Sequence, residues 1–346
     1  MNSPEGVLVT GGAGYIGSHI VLALQDAEFD VVVLDSLATG HAALVPEDVP
    51  LVVGDVGDRH LVRKILASRH ISAVMHFAGS VVVPESITNP LAYYQNNTVK
   101  SHALIQTCVE AGVRDFVFSS TAAVYGIPSR SPVDENAPTQ PINPYGTSKL
   151  MTEWMLRDVG HAHGLRHVIL RYFNVAGADS FGRTGQSTPN ATHLIKVACE
   201  VALGQRSVMS VFGDDYDTPD GTCIRDYIHV TDLAAAHILA LKYLRSGDAS
   251  TVFNCGYGRG YSVREVLSAV EAAVGGNLRT IVAPRRPGDS PALMSNADRI
   301  KQILNWRPVH DDLGSIVCSA LAWEQVAAAR LSQGNTKTEA SGQYLA

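Results

Sequence analysis

The chain has 346 residues, of which 46% are hydrophobic, so it can bury a large core and is long enough for two domains or one elaborated domain. Its formal net charge is −6, and no concentrated run of Lys or Arg offsets it, which argues against nucleic acid or an anionic membrane as a partner. No apolar run approaches the length of a membrane span and no signal peptide opens the chain, so we expect a cytoplasmic protein.

The first predicted unit is a strand at 7–9 that enters glycines spaced G-x-x-G-x-x-G and then an amphipathic helix. Gly11 permits a tight turn, Gly14 lets the backbone approach a pyrophosphate, and Gly17 lets the helix pack on the strand. The helix then directs its first amides at the anion. We therefore predict a dinucleotide site that includes the residues opening the helix, Tyr15 and Ile16.

The second predicted strand, at 31–34, ends in Asp35. A carboxylate at this point accepts hydrogen bonds from the adenosine ribose hydroxyls, whereas a 2′-phosphate would meet like charge there. The sequence therefore favours NAD over NADP.

Strands and helices alternate through the next hundred residues. Strands are expected at 51–53, 73–77 and 116–118, and helices at 59–69 and 91–111. This alternation predicts an α/β fold with a right-handed, doubly wound parallel sheet of the Rossmann type. Ligands on such sheets bind beyond the carboxyl ends of the strands, where five candidate residues fall: Gly11, Asp35, Asp55, Gly79 and Thr121.

The strand at 116–118 leads to a hydroxyl residue, Thr121, and later to Tyr145 and Lys149 in Y-x-x-x-K spacing. Residues four apart share one helix face, so Lys149 is expected to hold its ammonium near the Tyr145 phenol and favour the phenolate. Such a tyrosine can act as a base near neutral pH. Taken alone the pair is weak evidence, because Tyr and Lys occur four apart by chance on many helices.

From about residue 176 the chain becomes rich in Gly, Pro, Asp and Thr turns, with helices expected near 193–203, 231–244 and 262–274. We predict a dinucleotide-binding domain at 1–175, a smaller mixed α/β domain at 176–330 that interleaves with it, and a frayed tail at 331–346. The cysteines are scattered and never in C-x-x-C spacing, so we expect reduced thiols and no metal site: Cys108, Cys199, Cys223, Cys255 and Cys318.

Together with the glycine turn and Y-x-x-x-K, further motifs make a specific combination: His76-Phe77-Ala78-Gly79, Tyr93-Tyr94-Gln95-Asn96-Asn97, Arg171-Tyr172-Phe173-Asn174, residues 221–230 and residues 284–289. On these residues the chain resembles the extended short-chain dehydrogenase/reductases that act on nucleotide sugars, over residues 6–323.

The resemblance implies a cofactor site in which Asp55 holds the adenine amino group and Asn96 and Phe173 lie near the cofactor. The neighbouring Val56, Phe77 and Ala78 belong to the same expected site. On the substrate side it implies that Asn174, Arg225 and Arg286 meet the diphosphate, that Phe212 stacks near uracil, and that Asp289 binds the uridine ribose. Planar arginines grip phosphate oxygens through paired donors. Alternatively, these arginines are solvated surface charges and Phe212 is part of the core.

Several positions depart from the family pattern. Thr121 replaces a serine but keeps the hydroxyl, whereas Val81 replaces a lysine and puts one cofactor contact in doubt. His193-Leu194 stands where Asn-Leu is common, so His193 is either a uridine-side contact or a packed surface histidine.

The implied activity is reversible inversion at C4 of UDP-glucose and UDP-galactose through a 4-keto sugar and bound NAD, with Tyr145, Lys149 and Thr121 handling the proton. A 4,6-dehydratase needs an acid and a base after the strand hydroxyl, where this chain has Ala122 and Ala123. A non-catalytic NAD-sensing protein is a third reading, which the complete set of catalytic residues argues against.

Two further expectations come from the resemblance. The residue aligned with Leu293 borders the C2 side of the sugar, and smaller residues there go with acceptance of N-acetylhexosamines, although Leu293 could instead be a core residue. The family also implies a homodimer joined by the helices near 91–111 and 146–162, whose apolar positions could equally serve a monomer core.

Overall fold

The structure is a computed structural model that describes residues 6–286 and 289–338, with side chains described as far as residue 327. Its strands are β1 Gly6–Thr10, β2 Val31–Asp35, β3 Leu51–Val53, β4 Ile71–His76, β5 Asp115–Thr121, β6 Arg166–Tyr172, β7 Asn174–Ala176, β8 Met209–Phe212, β9 Ile224–His229, β10 Thr251–Cys255, β11 Gly260–Ser262, β12 Thr280–Ala283 and β13 Ala292–Leu293. Its α-helices are α1 Tyr15–Asp26, α2 Arg59–Ser68, α3 Val83–Thr88, α4 Pro90–Tyr93, α5 Lys100–Glu110, α6 Pro144–His163, α7 Leu194–Ala202, α8 Val230–Arg245, α9 Val263–Val274, α10 Asp298–Ile303 and α11 Leu313–Thr338.

Within these described ranges a seven-stranded sheet has the order β10-β6-β5-β4-β1-β2-β3. All neighbouring strands are parallel. The strand order reverses at β1, which lies between β2 and β4, and this reversal opens a crevice beyond the carboxyl ends of the two strands. The predicted doubly wound Rossmann-type sheet is confirmed.

Helices cover both faces of this sheet. The fully buried Val9 and Val33 pack on one face with apolar residues of α1 and α8, and Leu8 and Val74 pack on the other face with residues of α2, α5 and α6. Burial on both faces explains why the strands read as continuous apolar runs rather than as alternating patterns.

The predicted helix at 91–111 begins at Pro90 but is not uniformly α-helical. A π-helical turn at Tyr94–Val99 joins α4 to α5. Such a turn inserts one extra residue per turn, which shifts the faces of α4 and α5 relative to each other. Apolar periodicity does not reveal it.

The second half of the chain contains the smaller mixed sheets that the sequence predicted. β9 pairs parallel with β7 and β13 and antiparallel with β11, and β8 pairs parallel with β12. The helices expected near 193–203, 231–244 and 262–274 are α7, α8 and α9. Because β10 and α8 complete the large sheet and its helical layer, the two predicted segments interleave, while the domain boundary itself stays a prediction.

The predicted tail boundary at residue 331 is not a break in secondary structure. Helix α11 continues to Thr338, so the first part of the expected tail is helical, and residues 339–346 lie outside the described residues. A polar, small-residue composition predicts exposure, but Gln, Lys and Ala are also compatible with a helix.

Candidate active site

In the glycine turn between β1 and α1, two of the three glycines have no room for a side chain, and the third borders open space. Gly11 has a φ of +73°, and a Cβ there would lie 2.6 Å from the Ala78 nitrogen; a Cβ on Gly17 would lie 2.1 Å from the Gly11 oxygen. A Cβ on Gly14 would meet only the Gly11 oxygen, at 3.3 Å. Protein packing therefore requires glycine at 11 and 17, whereas at Gly14 a Cβ would fill a cradle beside the helix start.

Backbone amides face this cradle. Gly14 is the N-cap of α1 and offers no side-chain cap, so the amides of Tyr15, Ile16 and Gly17 open the helix without intrahelical acceptors. The Tyr15 side chain points elsewhere, because its hydroxyl donates to the Gly177 carbonyl at 2.7 Å. Tyr15 thus serves the cradle through its amide, and the cradle fits a pyrophosphate.

Asp35, the first acidic residue predicted to contact the cofactor, also accepts a hydrogen bond from the glycine turn. Asp35 is 6% exposed, and its Oδ2 accepts from the Ala13 amide at 2.9 Å while Oδ1 accepts from the Leu37 amide at 2.8 Å. Each oxygen keeps one acceptor direction for a ribose hydroxyl. Asp35 therefore couples the glycine turn to the end of β2.

Asp55 lies beyond the end of β3, beside the buried Val56, and forms an ion pair with Lys100 of α5. Burial acts to raise the pKa of Asp55, but the hydrogen bonds from Lys100 and from the Gly57 amide outweigh it and lower the pKa. The carboxylate is therefore anionic at neutral pH. Lys100 was not predicted as a partner, because it is 45 residues away in sequence.

The loop after β4 lies next to helix α6. A Cβ on Gly79 would lie 3.0 Å from Asn97 Oδ1 and 3.7 Å from Lys149 Nζ. Asn97, which the sequence did not single out, is 2% exposed; its Oδ1 accepts from the Ser80 amide at 2.7 Å and its Nδ2 donates to Ser148 at 3.1 Å. The predicted Asn96 reaches only the Ser80 hydroxyl, at 3.0 Å.

The remaining predicted cofactor residues flank this loop. Phe77 packs against His237, with ring centroids 4.9 Å apart, and Ala78 packs against the core behind the glycine turn. Phe173 is buried in an apolar cluster with Ala122. Val81, which stands in place of the family's lysine, is 43% exposed.

Thr121, Tyr145 and Lys149 lie together between the end of β5 and the first turns of α6. All three are buried, with exposed fractions of 8%, 9% and 3%. Asn143 caps α6 by accepting from the Gly146 amide at 2.8 Å, and Pro144 occupies the first helical position. The cap and the proline fix where the helix begins, and so fix Tyr145 one residue later.

The Lys149 ammonium is held by the backbone of β5, and burial shifts the pKa of both Lys149 and Tyr145. Lys149 Nζ donates to the Ser119 carbonyl at 3.0 Å rather than to the phenol, and burial lowers the pKa of Lys149 to about 8. Burial raises the pKa of Tyr145, while a hydrogen bond with Thr121 acts to lower it. Desolvation outweighs the hydrogen bond, so the pKa of Tyr145 lies above its ordinary value.

Four of the residues predicted to contact the substrate form one cluster: Phe212, Arg225, Arg286 and Asp289. Asp289 lies between two arginines, 2.9 Å from Arg286 Nε and 3.6 Å from Arg225 Nη2. The Arg286 guanidinium stands 4.9 Å from the centroid of the Phe212 ring, which is 40% exposed. Both guanidinium groups are therefore already paired with Asp289 in this structure.

His193 is half-buried at the N-cap of α7. It lines a cavity with Asn174, Leu194 and Tyr227, and Gln186 Nε2 lies 2.7 Å from its Nδ1. Burial, reinforced by the positive charge of Lys196, lowers the pKa of His193, so the ring is neutral at pH 7. Its contact with substrate stays a prediction.

Leu293 lies on the short strand β13 beside β9. Strand β13 places it opposite Arg225 of β9, and its half-buried side chain packs on the cluster that contains Ala122 and Phe173. It thus contacts both the arginine strand and the residues beyond Thr121, which fits either of the two readings of Leu293.

The described part of the chain contains no group of three or more His, Cys, Asp or Glu residues arranged to hold a metal ion. No helix in the same part of the chain is long and apolar enough to cross a membrane.

Residues 7–256 match the NAD dependent epimerase/dehydratase family, and the chain belongs to it. It is similar to the UDP-glucose 4-epimerase of Azospirillum brasilense, with 60% identity over 319 residues that cover 92% of each chain. It also resembles the structure of UDP-glucose 4-epimerase from Bifidobacterium longum in complex with NAD⁺ and UDP, with 38% identity, coverage of 92% and 98%, and a TM-score of 0.88. The UDP-Glc/GlcNAc 4-epimerase of Campylobacter jejuni is 46% identical, with coverage of 93% and 99% and a TM-score of 0.81.

Separate substitutions of Gly14 and Gly17 distinguish the role of the phosphate cradle from that of the packing contact. Gly14→Ala should keep the unfolding midpoint of nucleotide-free protein within about 2 °C but reduce the NAD that copurifies at least tenfold, because the methyl fills the phosphate space. Gly17→Ala should lose about 1–3 kcal/mol or more of folding free energy, because its Cβ overlaps the Gly11 oxygen. Equal destabilisation by the two changes, or full NAD content in Gly14→Ala, would contradict this assignment.

Proposed function

We propose that this protein interconverts UDP-glucose and UDP-galactose by inverting C4 of the sugar, as a UDP-glucose 4-epimerase with tightly bound NAD. The observation that carries the proposal is the placement of Tyr145, Thr121 and Lys149 together at the end of β5. The chain belongs to the NAD dependent epimerase/dehydratase family, and a 60% identical relative is a UDP-glucose 4-epimerase. The phosphate cradle at Gly14 supplies a place for the cofactor.

The residues fit NAD at several points. The cradle amides suit a pyrophosphate, Asp35 retains acceptors for ribose hydroxyls, and the anionic Asp55 suits the adenine amino group. When bound, NAD supplies a hydride acceptor and donor together with a positive ring charge. Since the cofactor is regenerated in each turnover, we propose that it remains bound between cycles.

Residues of α6 and β5 carry out proton transfer at the sugar. Tyr145 removes the C4 hydroxyl proton and returns it after the sugar has turned, and the Thr121 hydroxyl shares the hydrogen bond. Because burial raises the pKa of Tyr145, ionisation requires positive charge near the phenol, to which the Lys149 ammonium contributes from its place on the Ser119 carbonyl.

Inversion also requires that the 4-keto sugar present its other face before reduction. The cluster of Phe212, Arg225, Arg286 and Asp289 suits a firm hold on the uridine diphosphate. Asn174 and His193 border the adjacent cavity. Anchoring on the nucleotide leaves the hexose free to rotate.

The two residues after Thr121 disfavour a 4,6-dehydratase. Ala122 and Ala123 begin a short 3₁₀ turn, and Ala122 is buried against Phe173. Methyl groups cannot transfer the protons that elimination of water needs. A non-catalytic NAD sensor would not need the buried Tyr145–Thr121 pair.

We also propose a homodimer formed by the adjacent helices α4–α5 and α6. Thr98 donates to the Ser148 carbonyl at 3.3 Å, so the helices lie side by side. Large apolar side chains on them remain exposed, with Leu91 at 79%, Val99 at 50% and Trp154 at 46%. Pairing of this surface with its copy would bury them.

We propose a cytoplasmic location because the cysteines are free thiols. All five cysteines are free thiols, and four of them are buried. Disulfides persist mainly in oxidising compartments, so these thiols suit a reducing one.

Tyr145→Phe should lower turnover of UDP-galactose by about 10²–10⁴-fold, because general base catalysis is lost, while the dissociation constant for UDP stays within about twofold. Thr121→Ala should be slow and Thr121→Ser close to wild type, because the hydroxyl is the functional group. Steady-state kinetics and calorimetric UDP titration measure both effects. A fully active Thr121→Ala enzyme would remove Thr121 from the mechanism.

We predict good activity on the UDP-glucose pair and weaker activity on the N-acetylhexosamine pair, since an acetamido group must fit beside Leu293. Leu293→Tyr should lower the second activity by about 5–150-fold and keep the first, because the larger ring overfills that space and costs about 1–3 kcal/mol. Leu293→Met, of similar volume, is the matched control. Equal loss of both activities in Leu293→Tyr would show that Leu293 is not the gate.

Trp154→Glu should convert the dimer to a monomer in analytical ultracentrifugation, because it puts a charge in the centre of the proposed interface. Phe181→Glu is the control: Phe181 is 79% exposed but lies in the turn after β7, away from these helices. A wild-type protein that sediments as a monomer would overturn the dimer proposal.

A further inference from the structure

A buried ion pair joins the catalytic helix to the central sheet. Glu153 of α6 and Arg171 of β6 have side-chain exposures of only 4% and 8%. Arg171 Nε lies 3.0 Å from Glu153 Oε1, and Arg171 Nη2 lies 2.5 Å from Oε2, so the contact is bidentate. Such a fork fixes orientation as well as distance.

Glu153 also contacts the strand that ends in the catalytic hydroxyl. The Ser120 hydroxyl donates to Glu153 Oε1, and Ser120 directly precedes Thr121. Tyr145, Lys149 and Glu153 succeed one another at four-residue spacing and so lie on one face of α6. This helix face therefore contacts the last three residues of β5.

The arginine end of the pair is held just as firmly. Arg171 Nη1 donates to the Tyr125 hydroxyl at 3.1 Å, and that hydroxyl donates to Asn254 Oδ1 at 2.7 Å. The Arg171 guanidinium also lies 5.1 Å from the Tyr125 ring centroid. The network therefore spans α6, β5, β6 and β10.

Stability is a weak reason for such an arrangement. Burying two charges carries a desolvation cost that can exceed their attraction, and apolar replacements of buried pairs are often neutral for folding. What an apolar pair cannot reproduce is the directional contact with Ser120 and the fixed geometry of the fork.

We propose that Glu153 and Arg171 are positioning residues that set the placement of α6 on β5 and thereby the contact between Thr121 and Tyr145. The proposal rests on the proposed epimerase function, in which that contact carries the proton. Without the pair, the end of β5 moves relative to the helix, and the hydrogen bond between Thr121 and Tyr145 lengthens.

The direction of the pH effect is set by that hydrogen bond. The Thr121 contact acts to lower the pKa of Tyr145, so its loss raises that pKa. The titratable groups that interact with Tyr145 from the adjoining elements are Tyr93 of α4 and Tyr172 of β6, and on its own helix Lys149 lies one turn away. A higher pKa means that the base is ionised only at higher pH, and the acidic limb of the kcat–pH profile moves upward.

The key variant replaces both charges, as Glu153→Leu with Arg171→Met. Two further variants are Glu153→Gln and Ser120→Ala. Ser120→Ala keeps the ion pair and removes only the hydrogen bond from β5 to Glu153. Asp158→Asn is the matched control on the same helix, because its Arg157 pair is about 70% exposed. Each NAD-loaded protein is compared in melting temperature, in kcat and KM for UDP-galactose, and in the Tyr145 pKa from ¹³Cζ-tyrosine NMR, assigned with Tyr145→Phe.

We expect the double variant to melt near wild type while kcat falls about 10–100-fold, the scale expected for misplaced catalytic groups. KM should stay within about twofold and the Tyr145 pKa should rise, with Ser120→Ala showing the same changes more weakly and Asp158→Asn showing none. Wild-type kcat and Tyr145 pKa in Ser120→Ala, or in a stable double variant, would overturn the proposal. Absence of turnover in the wild type would instead refute the epimerase function, and the NMR pKa would still decide the positioning.

Discussion

The active site depends on one packing contact, that of helix α6 against the end of strand β5. Tyr145 meets Thr121, Lys149 meets the Ser119 carbonyl, and Glu153 meets Ser120. Three helix residues at four-residue spacing thus contact three consecutive strand residues. A strand presents adjacent side chains to opposite faces, so a backbone carbonyl and a local turn are needed to bring all three contacts to one helix face.

In the proposed mechanism this arrangement is what allows the buried phenol of Tyr145 to act as a base. Desolvation raises the pKa of Tyr145 and lowers that of Lys149 to about 8, so each group alone is driven toward its neutral form. The donors and charges placed around the phenol must offset that cost. Thr121 offers the neutral hydrogen bond, and Lys149 offers charge from a fixed position. Small displacements of α6 would change both effects together.

The parts of this structure that sequence predicts are those that depend on local rules. The glycine turn, the apolar strands and most helices derive from spacing and burial, and Tyr145 and Lys149 derive from helix periodicity. The resemblance to a family then assigned Arg225, Arg286 and Asp289, which the structure brings together. Their mutual ion pairs were not predicted, because each residue was assigned to the ligand rather than to its neighbours.

The features that the sequence did not predict depend on contacts between distant segments. Arg171 reaches Glu153 across 18 residues, and Asn97 reaches Ser148 across 51; no spacing rule connects them. Glu153 did leave a signal, since it continues the four-residue spacing of Tyr145 and Lys149. Helix periodicity predicts which face of α6 carries Lys149, but it does not predict which acceptor the ammonium contacts. The donation to the Ser119 carbonyl was therefore not predicted.

The most direct test of the proposed epimerisation follows the hydrogen on C4 of the sugar during turnover. The account requires that Tyr145 and Thr121 exchange only the hydroxyl proton, while the hydrogen on carbon never reaches water. Purified protein, with no cofactor added, is incubated with UDP-galactose in D₂O, and the UDP-glucose formed is examined by NMR. The account predicts product with no deuterium at C4; deuterium at that carbon, or no product unless cofactor is supplied, would contradict it.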